Sequence, residues 1–304
     1  METMLQQLLE ECRPCAHEGR VATYIPELAK GNPNDFGICL ADRVGIRCAG
    51  DHEKVFTIQS VVKPLLLLQA LLDNGEDYVR ARVGVESTGK TFDAINVTDQ
   101  ALLSEHLNPM VNMGAIAMCS LIKGESYTHR FERLLELTRT LAGNDNIVLD
   151  ETVYLSEKQT SSKNRALAFM LRSYGLLHDD VEEVLDCYFR ACSISVNCED
   201  LARIALVLAY HGKDPRTGEQ LFPAHYATYV NAVMMTCGMY DGSGTFAINV
   251  GVPAKSGVGG GIMAVVPGSI GIGIFSPALD GKGNSVAGIR ALELLSRRLQ
   301  LSVF

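Results

Sequence analysis

Gln59-Ser60-Val61-Val62-Lys63-Pro64, running into Leu65-Leu66-Leu67-Leu68, decides how the rest of the chain reads. A serine and a lysine three residues apart share one side of a helix. Pro64 has no backbone N–H to donate and belongs in a helix's first turn. Ser60 is therefore expected at or just before the start of a helix that continues through Leu72 and stops at Asp73-Asn74-Gly75. Unpaired N–H groups and the positive end of the dipole at that terminus favour a developing alkoxide. The leucine run predicts burial of Lys63, and burial lowers an amine's pKa and makes it a usable base. The plainer alternative is a capping serine beside a lysine that stretches to solvent. Ser-x-x-Lys alone does not separate the two.

Working outward, Thr3 to Cys12 carries a helical stripe of Met4, Leu5, Leu8 and Leu9, and a second helix is expected to reach Leu28. After the loop Gly31-Asn32-Pro33-Asn34, two short strands are expected at Phe36 to Ala41 and Val44 to Cys48. A third extended piece follows at Val55 to Ile58. From Gly75 to Met235 the pattern is mostly helical, with candidates at Pro109 to Ile122, Phe131 to Leu141, Asn164 to Tyr174, Val181 to Cys192 and Asp200 to His211. Strands return at Val250 to Lys255, Gly261 to Val266 and Ile270 to Phe275, and Val286 to Gln300 closes the chain as a helix. The turns between neighbouring strands are too short for parallel crossovers. The expectation is an α+β fold whose antiparallel sheet is built from both chain ends, packed with helices, around a central helical insertion. The sheet-bearing part covers about 1–72 and 240–304, and the helical part about 73–239.

The chain has 304 residues, enough for one large domain or two modest ones with a real core. A net charge of -8, with Arg297-Arg298 as the densest basic run, argues against nucleic acid. The apolar stretch from Gly261 to Leu279 is broken by Pro267, Gly268 and Pro277 and reads as buried strands rather than a membrane span. No export signal is visible, so a cytoplasmic protein is expected. The nine scattered cysteines then read as reduced, buried thiols. Cys12 and Cys15 have C-x-x-C spacing without a second pair, so no metal or other cofactor is expected.

Serine enzymes of the penicillin-recognising class pair Ser-x-x-Lys with a distal Lys-Ser/Thr-Gly on a strand, and this chain has Lys255-Ser256-Gly257. Beyond those two elements it resembles the bacterial and kidney-type glutaminases, serine-dependent enzymes with a β-lactamase-like fold. The resemblance rests on Tyr24-Ile25-Pro26-Glu27-Leu28, the Gln59 to Pro64 stretch, Asn108-Pro109-Met110-Val111-Asn112, Ser156-Glu157, Asn164-Arg165, Tyr188-Phe189, Gly238-Met239-Tyr240-Asp241 and Pro253 through Gly261.

The resemblance implies hydrolysis of L-glutamine to L-glutamate and ammonia. Ser60 matches the nucleophile, Lys63 the general base and Tyr240 a relay to the leaving ammonia. The N–H groups of Ser60 and Val258 match the oxyanion hole. Tyr24, Asn112, Glu157, Asn164 and Tyr188 match positions around the amino-acid head of the substrate. Those residue types suit the task, since a carboxylate accepts from an ammonium and amides and phenols donate to a carboxylate. A homodimer or homotetramer is implied as well. Two residues depart from the family pattern: Lys163, where an arginine is usual, keeps the charge without the bidentate fork, and Met113 stands in place of a small alanine beside Asn112. Two rival readings are weighed. A penicillin-binding hydrolase would use Ser195-Val196-Asn197 as its middle element, and a glutamine sensor would bind without turnover.

Overall fold

The computed structural model describes residues 2–87 and 107–304. At its centre is a five-stranded sheet of β1 (Gly37–Ala41), β2 (Ile46–Gly50), β5 (Ala254–Ser256), β6 (Gly261–Val266) and β7 (Ile270–Phe275). The order is β2-β1-β7-β6-β5, and every neighbouring pair is antiparallel. Both chain ends supply strands, as the alternation of short apolar runs and tight turns predicts. A separate two-stranded ribbon joins β3 (Phe56–Thr57) to β4 (Ser195–Val196).

The sequence of β7, Ile-Gly-Ile-Gly-Ile-Phe, explains the layering. Successive strand residues face opposite sides of a sheet. A Cβ at Gly271 would run into the carbonyl of Ala202, and one at Gly273 into that of Cys198. The glycine face thus lets the helix Cys198–Ala209 lie directly on the strand backbone. The isoleucine face turns the other way. Ile272 and Ile274 share a core with Leu5, Leu8 and Leu9 of α1 (Glu2–Cys12) and with Leu292 and Leu295 of the last helix, Val286–Leu299. The sheet is covered on both sides.

The middle of the chain is helical. Numbered in order among the described residues, the helices are α2 (Lys63–Asn74), α3 (Glu76–Arg80), α4 (Asn112–Leu121), α5 (Tyr127–Ala142), α6 (Glu151–Thr160), α7 (Ser162–Ser173), α8 (Val181–Cys192) and α9 (Cys198–Ala209). They continue with α10 (Ala224–Cys237), α11 (Ser243–Asn249) and α12 (Val286–Leu299). Leu65, Leu66, Leu67, Leu68 and Leu71 of α2 are buried in one large core with α4, α8 and α9. Among the described residues no helix is long and apolar enough to cross a membrane.

Several expectations need correction. The second helix does not reach Leu28. A 3-10 stretch at Arg13–Glu18 and a 3-10 turn at Leu28–Lys30 stand in its place. Pro14 opens the first and Gly19 ends it. The second strand starts at Ile46 rather than Val44, because the Asp42 side chain accepts from the N–H groups of Val44 and Gly45 and makes them a turn. The strand expected from Val250 is confined to Ala254–Ser256, since Gly251 takes a positive φ and α11 ends just before it. Four helices, α3, α6, α10 and α11, lie where no particular element is expected. The nine cysteines are not all reduced thiols. Cys39 and Cys48 face each other across β1 and β2 and are joined by a disulfide, which leaves seven free. Facing positions on neighbouring strands bring side chains within bonding reach.

Candidate active site

Two turns meet at the edge of the sheet. The first is the 3-10 turn Gln59–Val62, which runs without a break into α2. Pro64 sits in the first turn of α2, as its missing N–H requires. Gln59 takes φ +49°, a conformation that side-chain-bearing residues adopt at a cost of about 1–3 kcal/mol and that clusters at functional sites. Strand β5 approaches this turn closely. A Cβ at Gly257 would come within 2.9 Å of the Ile58 carbonyl oxygen and 3.4 Å of the Ser60 nitrogen. Only glycine permits that approach. Among the described residues, neither the N–H of Ser60 nor that of Val258 donates to a backbone carbonyl.

Lys63 is fully buried. Its Nζ donates to Asn112 Oδ1 at 2.7 Å and to the Met110 carbonyl at 3.3 Å. Asn112, the first residue of α4, passes the chain on by donating from Nδ2 to Asn164 Oδ1 at 3.0 Å. Asn108 holds this corner, its Oδ1 accepting from the N–H of Met110 at 2.8 Å. Glu157 on α6 is buried nearby, and its carboxyl is pushed up to about 8 by burial, opposed by a hydrogen bond from Gln59 and by the charge of Lys63. Its Oε2 is sealed from solvent and has no hydrogen-bond partner among the described residues. Tyr188 on α8 is buried beside Glu157 and Cys192, and burial raises its phenol well above the ordinary range.

The second turn carries Tyr240, at φ +52°. Ser243 secures it, accepting from the Met239 N–H at 3.0 Å and donating to the Tyr240 carbonyl at 2.9 Å. The Ser60 side chain lies close enough to the Tyr240 hydroxyl to influence its proton. Burial raises the phenol, and Ser60 pulls it partly back. Under the ring lies Lys255, its Nζ 4.2 Å from the ring centroid. This second buried lysine donates to the carbonyls of Gly238 (2.9 Å) and Ser256 (2.5 Å). Burial and the nearby Lys63 charge hold its amine well below the usual range. Beyond Val258 and Tyr240 a cleft of about 590 Å³ opens to solvent, lined in part by Arg20, Tyr24, Asp241, Lys282 and Gly283.

With that geometry in place, the comparisons with known proteins are decisive. A family model described as Glutaminase matches residues 19–304. The chain belongs to the glutaminase family. It is 51 % identical to a glutaminase of Clostridium tetani over the whole of both chains. It superposes with a TM-score of 0.92, at 39 % identity, on a probable glutaminase from Bacillus subtilis complexed with 6-diazo-5-oxo-L-norleucine, covering all of this chain and 96 % of that one. The structure of Mglu in its tris and glutamate form gives 0.94 at 40 % identity, covering all of this chain and 67 % of that one.

As in the family pattern, Ser60, Lys63, Asn112, Glu157, Asn164, Tyr188, Tyr240 and Val258 are drawn from segments scattered over the chain. Hydrogen bonds or close electrostatic contacts link Ser60 to Tyr240, Lys63 to Asn112, Asn112 to Asn164, and Glu157 to both Lys63 and Tyr188. Tyr24 stands apart at the mouth, 57 % exposed and lining the outer cleft with Val258. Its loop is tied to α6 through the Glu27 N–H, which donates to Ser156 Oγ at 3.4 Å. Asn197 caps α9, its side chain accepting from the Asp200 N–H at 3.0 Å, so Ser195-Val196-Asn197 has a structural purpose. Of the two departures, Met113 is buried in the large core and Lys163 is exposed in the first turn of α7. Sequence reasoning misses Gln59 as a partner of Glu157, Ser243 as the brace of Tyr240, and the burial of Lys255 beneath the Tyr240 ring.

Proposed function

We propose that this protein hydrolyses L-glutamine to L-glutamate and ammonia through an ester on Ser60. The observation that carries the mechanism is a fully buried Lys63 one helical turn from Ser60, with two acceptors in place for its N–H groups. Burial away from water favours the neutral amine, whose lone pair can take the Ser60 proton. Ser60 Oγ then attacks the side-chain amide carbon. The N–H groups of Ser60 and Val258 receive the oxyanion, an interaction typically worth about 3–4 kcal/mol per donor. Collapse expels ammonia with a proton relayed through Tyr240. Water, activated by the same base, releases glutamate and restores Ser60.

The carboxylate of Glu157 would take the substrate ammonium, and its unpartnered Oε2 fits that role. Asn112, Asn164, Tyr188 and Tyr24 would surround the rest of the amino-acid head. A Bacillus subtilis glutaminase is described in a covalent complex with 5-oxo-L-norleucine formed by reaction with 6-diazo-5-oxo-L-norleucine, which supports a covalent route in the family. On this reading the whole chain is one catalytic unit with a β-lactamase-like fold. Its sheet-bearing part (1–72 and 240–304) and helical part (73–239) contribute opposite walls. It acts without cofactor in the cytoplasm as a homodimer or homotetramer.

Rapid acid quenching of enzyme turning over L-glutamine, followed by mass spectrometry of its peptides, should find a glutamyl adduct on the peptide containing Ser60. Ammonia release from L-glutamine without any such adduct, and undiminished in Ser60→Ala, would overturn the acyl-enzyme route.

A further inference from the structure

On the face of β1 and β2 that meets α9, three ligating side chains converge. Sulfur atoms of Cys39 and Cys48 and a ring nitrogen of His52 all lie within 4.8 Å of one another. His52 follows β2 by two residues, and its carbonyl accepts from the N–H of Cys198 at the start of α9, at 3.2 Å. Its Nδ1 is sealed from solvent without a hydrogen-bond partner among the described residues. A buried ring nitrogen left unpaired is costly, and such orphans point to a role or to an ion.

We propose that Cys39, Cys48 and His52 form a redox-gated site for a thiophilic divalent metal ion such as zinc. The disulfide is the closed form. A dithiol reductant opens it by exchange: the Cys39–Cys48 sulfur bond breaks, two thiols form, and the reductant leaves as its own disulfide. The metal ion then displaces both thiol protons, gaining two thiolates, and takes the imidazole through its lone pair. Two sulfurs and one nitrogen are a characteristic zinc donor set, and water completes a tetrahedron. Ligand atoms about such an ion sit roughly 3.5–4 Å apart, so on reduction the two sulfurs must separate, while the imidazole nitrogen is already within 4.8 Å of both. In the reduced form the metal would tie the β1–β2 hairpin to the segment leading through β3 to Ser60. The site takes no part in the hydrolysis proposed above, and the two readings stand or fall separately.

The test uses the full chain reduced with a phosphine under anaerobic conditions, with cobalt(II) as the probe. Thiol titration in denaturant should rise from seven to nine on reduction. The reduced protein should bind one cobalt with a thiolate-to-metal charge-transfer band that zinc abolishes, and the oxidised protein should show none. Cys48→Ser should remove the band, His52→Ala should weaken binding by at least about tenfold, and Cys12→Ser should change nothing. X-ray absorption of the zinc-loaded wild type should show two sulfurs and one nitrogen, an outcome independent of how the variants fold. The proposal fails if nine thiols are free and no band appears. It fails equally if the band survives Cys48→Ser, if it follows Cys12, or if the zinc shell lacks the nitrogen.

Discussion

The two turns that wall the site each hold a buried lysine and a non-glycine residue at positive φ, yet they are built differently. The Gln59 turn holds Lys63 on the Met110 carbonyl and on one side chain, Asn112, from which the chain of contacts reaches Asn164 and Glu157. The Tyr240 turn binds Lys255 to two backbone carbonyls and an aromatic face. Side-chain partners can exchange protons and meet a substrate, while carbonyl partners can only hold position. On the proposed mechanism, proton transfer and recognition belong to the first wall, and the second contributes one reactive group, the Tyr240 hydroxyl, on a braced support.

Substitutions test that division. Ser60→Ala and Lys63→Ala should each lower kcat by about 10⁴-fold or more, because nucleophile and base act as a unit. A tenth of the wild-type ammonia release surviving in either would break the assignment of chemistry to the first wall. Tyr240→Phe should lower kcat by about 10²–10³-fold with KM little changed, as expected for loss of one proton relay. A variant with wild-type kcat would reduce the second wall to scaffold. Glu157→Gln should raise KM for glutamine about 10- to 100-fold, the worth of a charge-assisted hydrogen bond, with a smaller effect on kcat. An unchanged KM would remove Glu157 from recognition.

The smallest effect is a matter of pH. In the empty site burial raises the Glu157 carboxyl to about 8, so at neutral pH it is largely protonated. An incoming ammonium favours the carboxylate, and binding below that pKa must therefore release a proton. KM should fall about tenfold per pH unit as pH rises toward 8 and level off above it. Glu157→Gln should abolish the slope, and a slope that persists in that variant would place the titrating group elsewhere. The same shift has a consequence for stability. The folded empty protein holds this proton where the unfolded chain has lost it, so this group's contribution is present at low pH and is lost as pH rises through about 8.

Much of this was readable in the sequence, for physical reasons that differ along the chain. Gly261–Val266, Ile270–Phe275 and Val181–Cys192 begin and end where their apolar patterns do, the last of them also capped by Asp180, because their buried faces are strongly patterned. Ser60 and Lys63 announce themselves through Pro64, whose chemistry fixes a helix start. By contrast α6, Glu-Thr-Val-Tyr-Leu-Ser-Glu-Lys-Gln-Thr, has no clear apolar stripe, and its helix is set by an Asp150 cap and tertiary packing. The positive φ of Gln59 and Tyr240 leaves no mark on residue type. The Cys39–Cys48 bridge depends on register, which spacing does not give. Most site residues were reached by family resemblance rather than by pattern, since their partners lie dozens of residues away.

The pairing of β1 with β7 sets a timetable for biosynthesis. Residues 37–41 leave the ribosome early, but the strand that must lie beside them spans residues 270–275. Until that stretch is made, β1 has β2 alone for a neighbour, and β5 and β6 have no sheet to join. Closing so long a loop is slow. A nascent chain therefore carries Ser60 and Lys63 without Val258 or Tyr240 opposite them until those later residues follow. The two walls can meet only after residues 240–258 have been made and have joined the sheet.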